Sequence, residues 1–204
     1  DGVYFEQPYA DEGTNLTVKY DGTESELTYK WFVDGAETVP AADGSFAVTK
    51  DHYEKTIRAE VWSGESKLGE ASMFCSKLPV LYIDIEDGAE VVVKDDYLDA
   101  QMHLQGNDQF ESGKVLYTGA TEIKGRGNST WEYFPKKPYK LKLDKKADLF
   151  GLGKNKHWVL LANYIDESGM RNMLAGDFAT RMGVGAMDGT WVELVINGQP
   201  RGMY

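Results

Sequence analysis

Short stretches of alternating apolar and polar residues fill the first third of the chain. Because residues two positions apart lie on the same face of a strand, each stretch predicts a strand with one apolar face. Turn dipeptides that end in glycine separate the stretches, and Asp21-Gly22 and Asp34-Gly35 are two of them. Short strands with closely spaced turns predict a β-sandwich. The apolar sets are Leu16, Val18 and Tyr20; Tyr29, Trp31 and Val33; Phe46 and Val48; and Ile57, Ala59 and Val61.

Two details in residues 1–77 resemble bacterial immunoglobulin-like domains. Tyr29-Lys-Trp31 followed by an Asp-Gly turn is similar to the strand that carries their core tryptophan. Tyr53 lies where a tyrosine-corner residue would precede the next strand. We therefore expect residues 1–77 to form an immunoglobulin-like β-sandwich that serves as a spacer. Glycan or protein binding is the alternative role.

The pattern changes after Leu78-Pro79 and predicts a second domain over residues 79–204, with mixed α+β structure. The continuous apolar run Val80–Ile85 predicts a buried strand. Further strands are expected at residues 98–104, 113–124 and 139–143. The run His157–Ala162 fits a buried strand or a short helix, and periodicity does not separate the two.

One helix and one hairpin are predicted near the end of the chain. Asp166 or Ser168 can cap the helix, and Gly183 ends its pattern. Its apolar stripe is expected to lie in the core, and it comprises Met170, Met173, Leu174, Phe178 and Met182. Asn197-Gly198 predicts a tight hairpin turn, and the returning strand is so short that we expect a piece of a longer protein.

Charge is distributed unevenly over the 204 residues, whose net charge is −11. Residues 1–77 and 78–122 each carry a net −8, whereas residues 123–204 carry +5. This distribution argues against a nucleic-acid-binding protein, but it is compatible with a local phosphate site. One cysteine, Cys75, excludes an internal disulfide and a cysteine-based zinc site. No run of 18 apolar residues occurs, so no membrane span is expected.

The basic part of the chain combines glycines with cationic side chains. Between Lys124 and Lys156 there are ten Lys or Arg and three acids. Backbone N–H groups at Gly125 and Gly127, together with Arg126, suit an anion. A solvated strand with a basic outer face is the competing interpretation.

Three further cations are candidates for phosphate contact. Lys140 and Lys142 share one face of a predicted strand, and the pattern does not choose between them. Arg171 falls in the first helical turn, where the helix dipole disfavours a cation. It therefore requires an acid, for which Glu167 is the nearest candidate, or an anionic ligand. Asn128 fits either turn chemistry or ligand contact, as do the two other asparagines Asn163 and Asn172.

Residues 79–204 also resemble the CotH family of spore-coat and surface proteins, which have an atypical protein-kinase fold. The similar blocks occur in the family order and are Gly125–Trp131, Lys136–Leu143, Gly153–Asn163, Arg171-Asn172 and Val192–Gly198. The resemblance implies a truncated α+β kinase-like N-terminal lobe that uses ATP with Mg²⁺ or Mn²⁺ to phosphorylate protein hydroxyls. It implies a secreted or cell-surface bacterial protein whose partner is a protein substrate or a surface or coat component.

The resemblance assigns nucleotide contacts and leaves the catalytic residues unknown. The expected contacts are Arg126, Asn128, Lys140, Lys142 and Arg171. In the family the metal-binding and catalytic aspartates follow the blocks seen here, so no metal ligand is assigned and the fragment is expected to be inactive alone. The alternative is a non-catalytic surface scaffold or glycan-binding module, with Trp131 as the main stacking residue and Trp158 and Trp191 as further candidates.

Overall fold

A computed structural model describes residues 2–7, 9–107, 110 and 114–204. The chain divides into two compact units. Unit 1 contains residues 1–78 and 106–114, and unit 2 contains residues 79–105 and 115–204. The chain therefore passes from unit 2 into unit 1 and back between two strands. We describe each unit by itself.

Unit 1 is built from eight short strands. A four-stranded antiparallel sheet has the order β5-β4-β7-β8, and two two-stranded sheets pair β1 with β3 and β2 with β6. One 3₁₀ turn, Lys50–His52, connects β6 to β7. The strands are β1 (Val3–Phe5), β2 (Asn15–Leu16), β3 (Val18–Tyr20), β4 (Leu27–Val33), β5 (Ala36–Thr38), β6 (Phe46–Ala47), β7 (Thr56–Ser63) and β8 (Ser66–Phe74).

The core of unit 1 forms around Trp31, which is fully buried. Its ring stacks on Phe5 and Phe46, with centroid distances of 5.8 and 5.3 Å. The alternation along β7 buries its apolar set because those side chains share the inner face. Cys75 is buried beside them, and burial, followed by the charge of Asp11, raises the pKa of its thiol to about 12. The thiol is therefore neutral and unreactive at physiological pH.

Unit 2 contains one seven-stranded sheet with the order β13-β12-β11-β10-β9-β14-β15. Neighbouring strands are antiparallel except β9 and β14, which run parallel. The strands are β9 (Val80–Ile85), β10 (Leu98–Gln105), β11 (Val115–Gly125), β12 (Tyr139–Asp148), β13 (Lys154–Leu160), β14 (Glu193–Ile196) and β15 (Gln199–Met203). The helices are α1 (Ser129–Glu132) and α2 (Arg171–Arg181), and Glu86–Gly88 forms a 3₁₀ turn. No helix in the described ranges has the length and apolarity needed to cross a membrane.

One face of this sheet forms the core of unit 2. Tyr139, Leu141 and Leu143 point into it from β12, so Lys140 and Lys142 point to the other face. The open alternative for residues 157–162 is settled in favour of a strand up to Leu160. The expectation of a β-rich chain is confirmed.

The prediction that the apolar stripe of α2 lies in the core is wrong. Leu174 and Phe178 are 58% and 66% exposed, and Met170 and Met182 are exposed as well. The helix packs instead through Gly176, where a Cβ atom would lie 2.3 Å from the carbonyl oxygen of Met187. Because only glycine allows this close approach, the backbone contact decides which face of α2 is covered.

Candidate functional site

Three cationic side chains of unit 2 line one cavity of about 270 Å³, which we call the basic cavity. They are Arg126 from the turn after β11, Lys136 from the loop before β12, and Arg171 from the first turn of α2. Asp166 is the carboxylate in the wall. The side chains thus leave an excess of positive charge in a small concave space, which suits an anionic group.

The turn that carries Arg126 depends on two glycines. A Cβ atom at Gly125 would lie 2.5 Å from the Trp131 ring and 2.8 Å from the Val93 carbonyl oxygen. Gly127 has a φ of +90°, which other residues rarely adopt. The expectation that Gly125 frees its N–H group for an anion is wrong, because this group donates to Val93 O at 3.1 Å. Its glycine is required by packing against Trp131.

The side chain of Arg126 is half-buried. Within the described part of the chain it forms no ion pair and no side-chain hydrogen bond. A guanidinium group carries five N–H donors that must be satisfied by water or by a ligand. Arg126 is therefore available to bind an anion in the basic cavity.

Lys136 was not among the residues predicted from the sequence. Its ammonium group donates to the carbonyl oxygen of Met203 and lies 4.4 Å from the centroid of the Tyr204 ring. Burial lowers the pKa of Lys136, and the charge of Glu193 opposes this shift. An ammonium group held by a carbonyl and an aromatic ring keeps much of its charge uncompensated. The signal in the sequence was its position between Pro135 and Pro138, which places it before the strand rather than on it.

The start of α2 is organised by Asp166. Its carboxylate accepts hydrogen bonds from the Ser168 hydroxyl at 2.6 Å and from the Arg171 N–H group at 2.9 Å. The Ser168 hydrogen bond, followed by that of Arg171, lowers the pKa of Asp166. Asp166 also lies 3.7 Å from the guanidinium Nε atom of Arg171. The prediction that Glu167 is the acidic partner of Arg171 is thus wrong, because Asp166 takes that place at the start of the helix.

The other predicted contacts lie elsewhere. Lys142 forms an ion pair with Glu122 on the outer face of the sheet. Lys140 lies opposite Lys124 of the neighbouring strand in the sheet register. Asn128 is exposed just before α1. None of the three predicted residues is among the described residues that line the basic cavity. The structure brings together Arg126 and Arg171, which are 45 positions apart in the sequence.

A second and larger cavity of about 480 Å³ adjoins the basic cavity. We call it the apolar cavity, because Met102, Leu104 and Leu141 from the core face of the sheet form one wall. The opposite walls carry aromatic and methionine side chains, namely Phe150, Trp158, Met173, Met187 and Trp191. Among its described wall residues Asp188 is the one carboxylate, and Lys and Arg do not occur.

The two cavities share wall residues at their junction. Leu161, Asn163 and Asn172 line both of them. The Asn172 side-chain amide donates to the Asn163 side-chain oxygen at 2.8 Å. A ligand that crosses the junction would pass from cationic walls to apolar walls along this amide pair.

One of the three tryptophans does not have the expected role. Trp131 is 8% exposed and its ring meets Tyr139 edge-on, so it is a core residue and not a surface stacking residue. Trp158 and Trp191 line the apolar cavity and donate their ring N–H groups to backbone carbonyls. The rings that can stack on a ligand are thus those of the two further candidates, Trp158 and Trp191.

The described residues do not fit a divalent metal ion. Among them, no group of three or more His, Cys, Asp or Glu side chains is placed to hold one. The chemistry that the site supports is anion binding by guanidinium and ammonium groups.

No curated protein matches the chain. Residues 123–204 match the family model described as CotH kinase protein. Every residue that lines the basic cavity lies inside this matched segment. The segment that builds the basic cavity is thus similar to the CotH family model, in agreement with the resemblance seen in the sequence.

Proposed function

We propose that this chain carries the phosphate-binding part of a CotH-type atypical protein kinase. In the complete protein the reaction is transfer of the γ-phosphoryl group of ATP to a protein hydroxyl. The observation that carries the proposal is the convergence of Arg126, Lys136 and Arg171 on one cavity within the CotH segment. Phosphoryl transfer depends mainly on positioned positive groups that hold the phosphates and stabilise their developing charge.

Each cation has a distinct role in this proposal. The planar guanidinium groups of Arg126 and Arg171 can each bind two phosphate oxygens, whereas Lys136 acts as a point charge. The side chain of Arg171 is 79% exposed, so it can turn from Asp166 toward a ligand at little cost. Lys140 and Lys142 remain alternative phosphate contacts from the outer face, although Glu122 already holds Lys142.

ATP is proposed to act with Mg²⁺ or Mn²⁺. The described residues do not fit a metal ion. The resemblance assigns the metal ligands to aspartates that follow the similar blocks in the family. Residues 123–204 are accordingly proposed to bind the nucleotide, whereas catalysis also requires those aspartates. In this proposal the cations of the basic cavity orient the phosphates.

The proposal extends to architecture and location. Unit 1 is proposed to be an immunoglobulin-like sandwich that acts as a spacer, and unit 2 the kinase-like N-terminal lobe. Their proposed setting is a secreted or cell-surface bacterial protein that acts on a protein substrate or a coat component. The fully buried Trp31 and the antiparallel sheets of unit 1 support the sandwich.

Calorimetric titration of ATP into the chain tests the phosphate site. We expect Lys136→Met and Arg171→Met each to weaken ATP binding about tenfold or more, as expected for loss of a charged hydrogen bond. Lys137→Met is the matched control for Lys136, because Lys137 also donates to a carbonyl and lies over a ring but is outside the cavity wall. Arg181→Met is the control for Arg171, because it is 77% exposed on the same helix and also paired with one aspartate.

Three outcomes decide the proposal. Selective weakening in the two cavity variants supports it. Absence of ATP binding by the folded wild-type chain overturns the phosphate site. Loss of binding only in a Lys140→Ala/Lys142→Ala double variant would move the site to the outer face of β12.

The alternative function is a non-catalytic surface scaffold or adhesion module. The exposed apolar stripe of α2 favours it, because contiguous exposed apolar side chains are typical of a partner interface. Binding of a protein or glycan partner that is lost in Leu174→Ser/Phe178→Ser, but is insensitive to ATP and to Lys136→Met, would favour this function over a kinase.

A further inference from the structure

We propose that the apolar cavity holds the aromatic base of the nucleotide whose phosphates lie in the basic cavity. Selection for a base would then reside in Trp158, Trp191 and the Asn163–Asn172 pair. This inference rests on the proposed function. It adds that strands β9 and β10, which precede the CotH segment, form part of the ligand site.

Charge segregation between the two cavities supports one bipartite ligand. The basic cavity presents Arg126, Lys136 and Arg171, whereas the described wall of the apolar cavity carries no Lys or Arg. A phosphate in the apolar cavity would lose hydration without gaining a cation. An apolar ring in that cavity would bury apolar surface instead. The ligand that fits both is an anion with an uncharged flat body.

The lining favours an aromatic ring over an alkyl chain. Phe150, Trp158 and Trp191 supply flat rings on which a base can stack. Met102, Met173 and Met187 add flexible, polarisable contacts that adapt to a ring edge. The volume of about 480 Å³ lies within the range of small-ligand pockets, which is roughly 300–1,000 Å³.

The junction supplies polar groups for the ring edge or the sugar. The amide of Asn172 donates to Asn163 at 2.8 Å, so each residue retains further donor and acceptor capacity. Asn172 follows Arg171 directly in α2. A contact with Asn172 would therefore position the same helical turn that carries a phosphate-binding cation.

The test compares three ligands on the full chain by calorimetry: ATP, tripolyphosphate and adenosine. We expect ATP to bind about tenfold or more tightly than tripolyphosphate. Trp158→Leu should weaken ATP binding about tenfold, in line with the loss of one stacked ring. The same substitution should change tripolyphosphate binding less than about twofold, because it leaves the cations in place.

Two further variants keep the inference open to refutation if Trp158→Leu fails to fold. Met187→Ala changes an exposed loop side chain of the cavity wall and should weaken ATP but not tripolyphosphate. Trp62→Leu makes the same chemical change as Trp158→Leu in unit 1 and should leave both affinities unchanged. Circular dichroism confirms the fold of each variant.

The outcomes separate this inference from the proposed function. If tripolyphosphate and ATP bind equally well, and the wall variants affect neither, the phosphate site stands and the base site is wrong. If tripolyphosphate fails to bind but adenosine binds in a Trp158-dependent manner, the base site stands and the phosphate site is wrong. If none of the three ligands binds the folded chain, both are overturned.

Discussion

Glu60 is an ion-paired carboxylate of unit 1 that accepts three side-chain hydrogen bonds. Its side chain accepts from Arg58, from Lys67 at 2.9 Å and from the Trp62 ring N–H at 3.0 Å. Burial alone would raise the pKa of Glu60, but the hydrogen bonds from Lys67, Arg58 and Trp62 outweigh it and lower the pKa to about 2. The charged form is therefore favoured in the folded state.

The first prediction concerns Glu60→Gln. We expect the free energy of unfolding to fall by about 1–3 kcal/mol at pH 7, because three donors lose a charged acceptor. Since the folded pKa of about 2 lies below the ordinary value of 4.5, the stabilisation is present above pH 4.5. It is lost as the pH falls toward 2.

Urea unfolding between pH 7 and pH 3 measures this effect. The difference between wild type and Glu60→Gln should shrink as the pH falls. Glu65→Gln is the control, because Glu65 is exposed on the neighbouring turn. A constant difference across the pH range would show that the charge of Glu60 does not stabilise the fold.

Residue types and local spacing predicted part of the candidate site. Arg126 was singled out by its flanking glycines, and Arg171 by its unfavourable place in a first helical turn. The sequence pattern did not indicate Lys136, because the two-residue period applies to the strand that carries Lys140 and Lys142. The sequence pattern does not predict which of these cations share a cavity. The loop before β12 has no helical or strand periodicity, so the position of its side chains depends on tertiary folding.

At the scale of elements, α2 shows why an amphipathic pattern does not fix orientation. The stripe with Leu174 and Phe178 predicts a helix correctly, and the helix forms at residues 171–181. The same stripe suggests the wrong buried face. The covered side is set by Gly176, over which the Met187 carbonyl passes. In the sequence, the only trace of this close backbone approach is the glycine itself. A glycine within a helical pattern does not by itself predict such a contact.

The second prediction is that Gly176→Ala destabilises the chain although alanine favours helices. Helix propensity would stabilise the variant by about 1 kcal/mol. The new Cβ atom would lie 2.3 Å from a backbone oxygen, which cannot move like a side chain. We expect a net loss of about 1–3 kcal/mol in the free energy of unfolding. The Met187 segment should also be cut faster by proteases.

Denaturant unfolding and limited proteolysis measure the two effects. Ala175→Ser is the control, because Ala175 is exposed on the same helix. If Gly176→Ala instead raised the stability and left proteolysis unchanged, the backbone around Met187 would be able to move aside for the new Cβ atom. ATP affinity should fall in parallel with the loss of this contact, because Met187 also lines the apolar cavity.

At the scale of the molecule, the strands follow local alternation, whereas the path between the units does not. The alternation in β4, β7, β10 and β12 places their apolar sets in the two cores. Residues 106–114 leave unit 2 after β10 and join unit 1 before β11. Asn107 lies in this excursion and is fully buried, where it donates to Ser76 O at 2.9 Å and accepts from Tyr53. Nothing in the local sequence signals partners 31 and 54 residues away.

This path leads to the last prediction, that Asn107→Ala destabilises unit 1 although the strands before and after it, β10 and β11, belong to the sheet of unit 2. Truncation removes the hydrogen bonds that Asn107 makes with the Tyr53 hydroxyl and the Ser76 carbonyl, which should cost about 2 kcal/mol of unfolding free energy. Native-state hydrogen exchange of the β7 amides reads the stability of unit 1 directly. We expect these amides to exchange about tenfold faster or more in the variant. Gln101→Ala, an exposed change on β10, should leave them unaltered. Equal exchange in the two variants would mean that Asn107 is not required for the stability of unit 1.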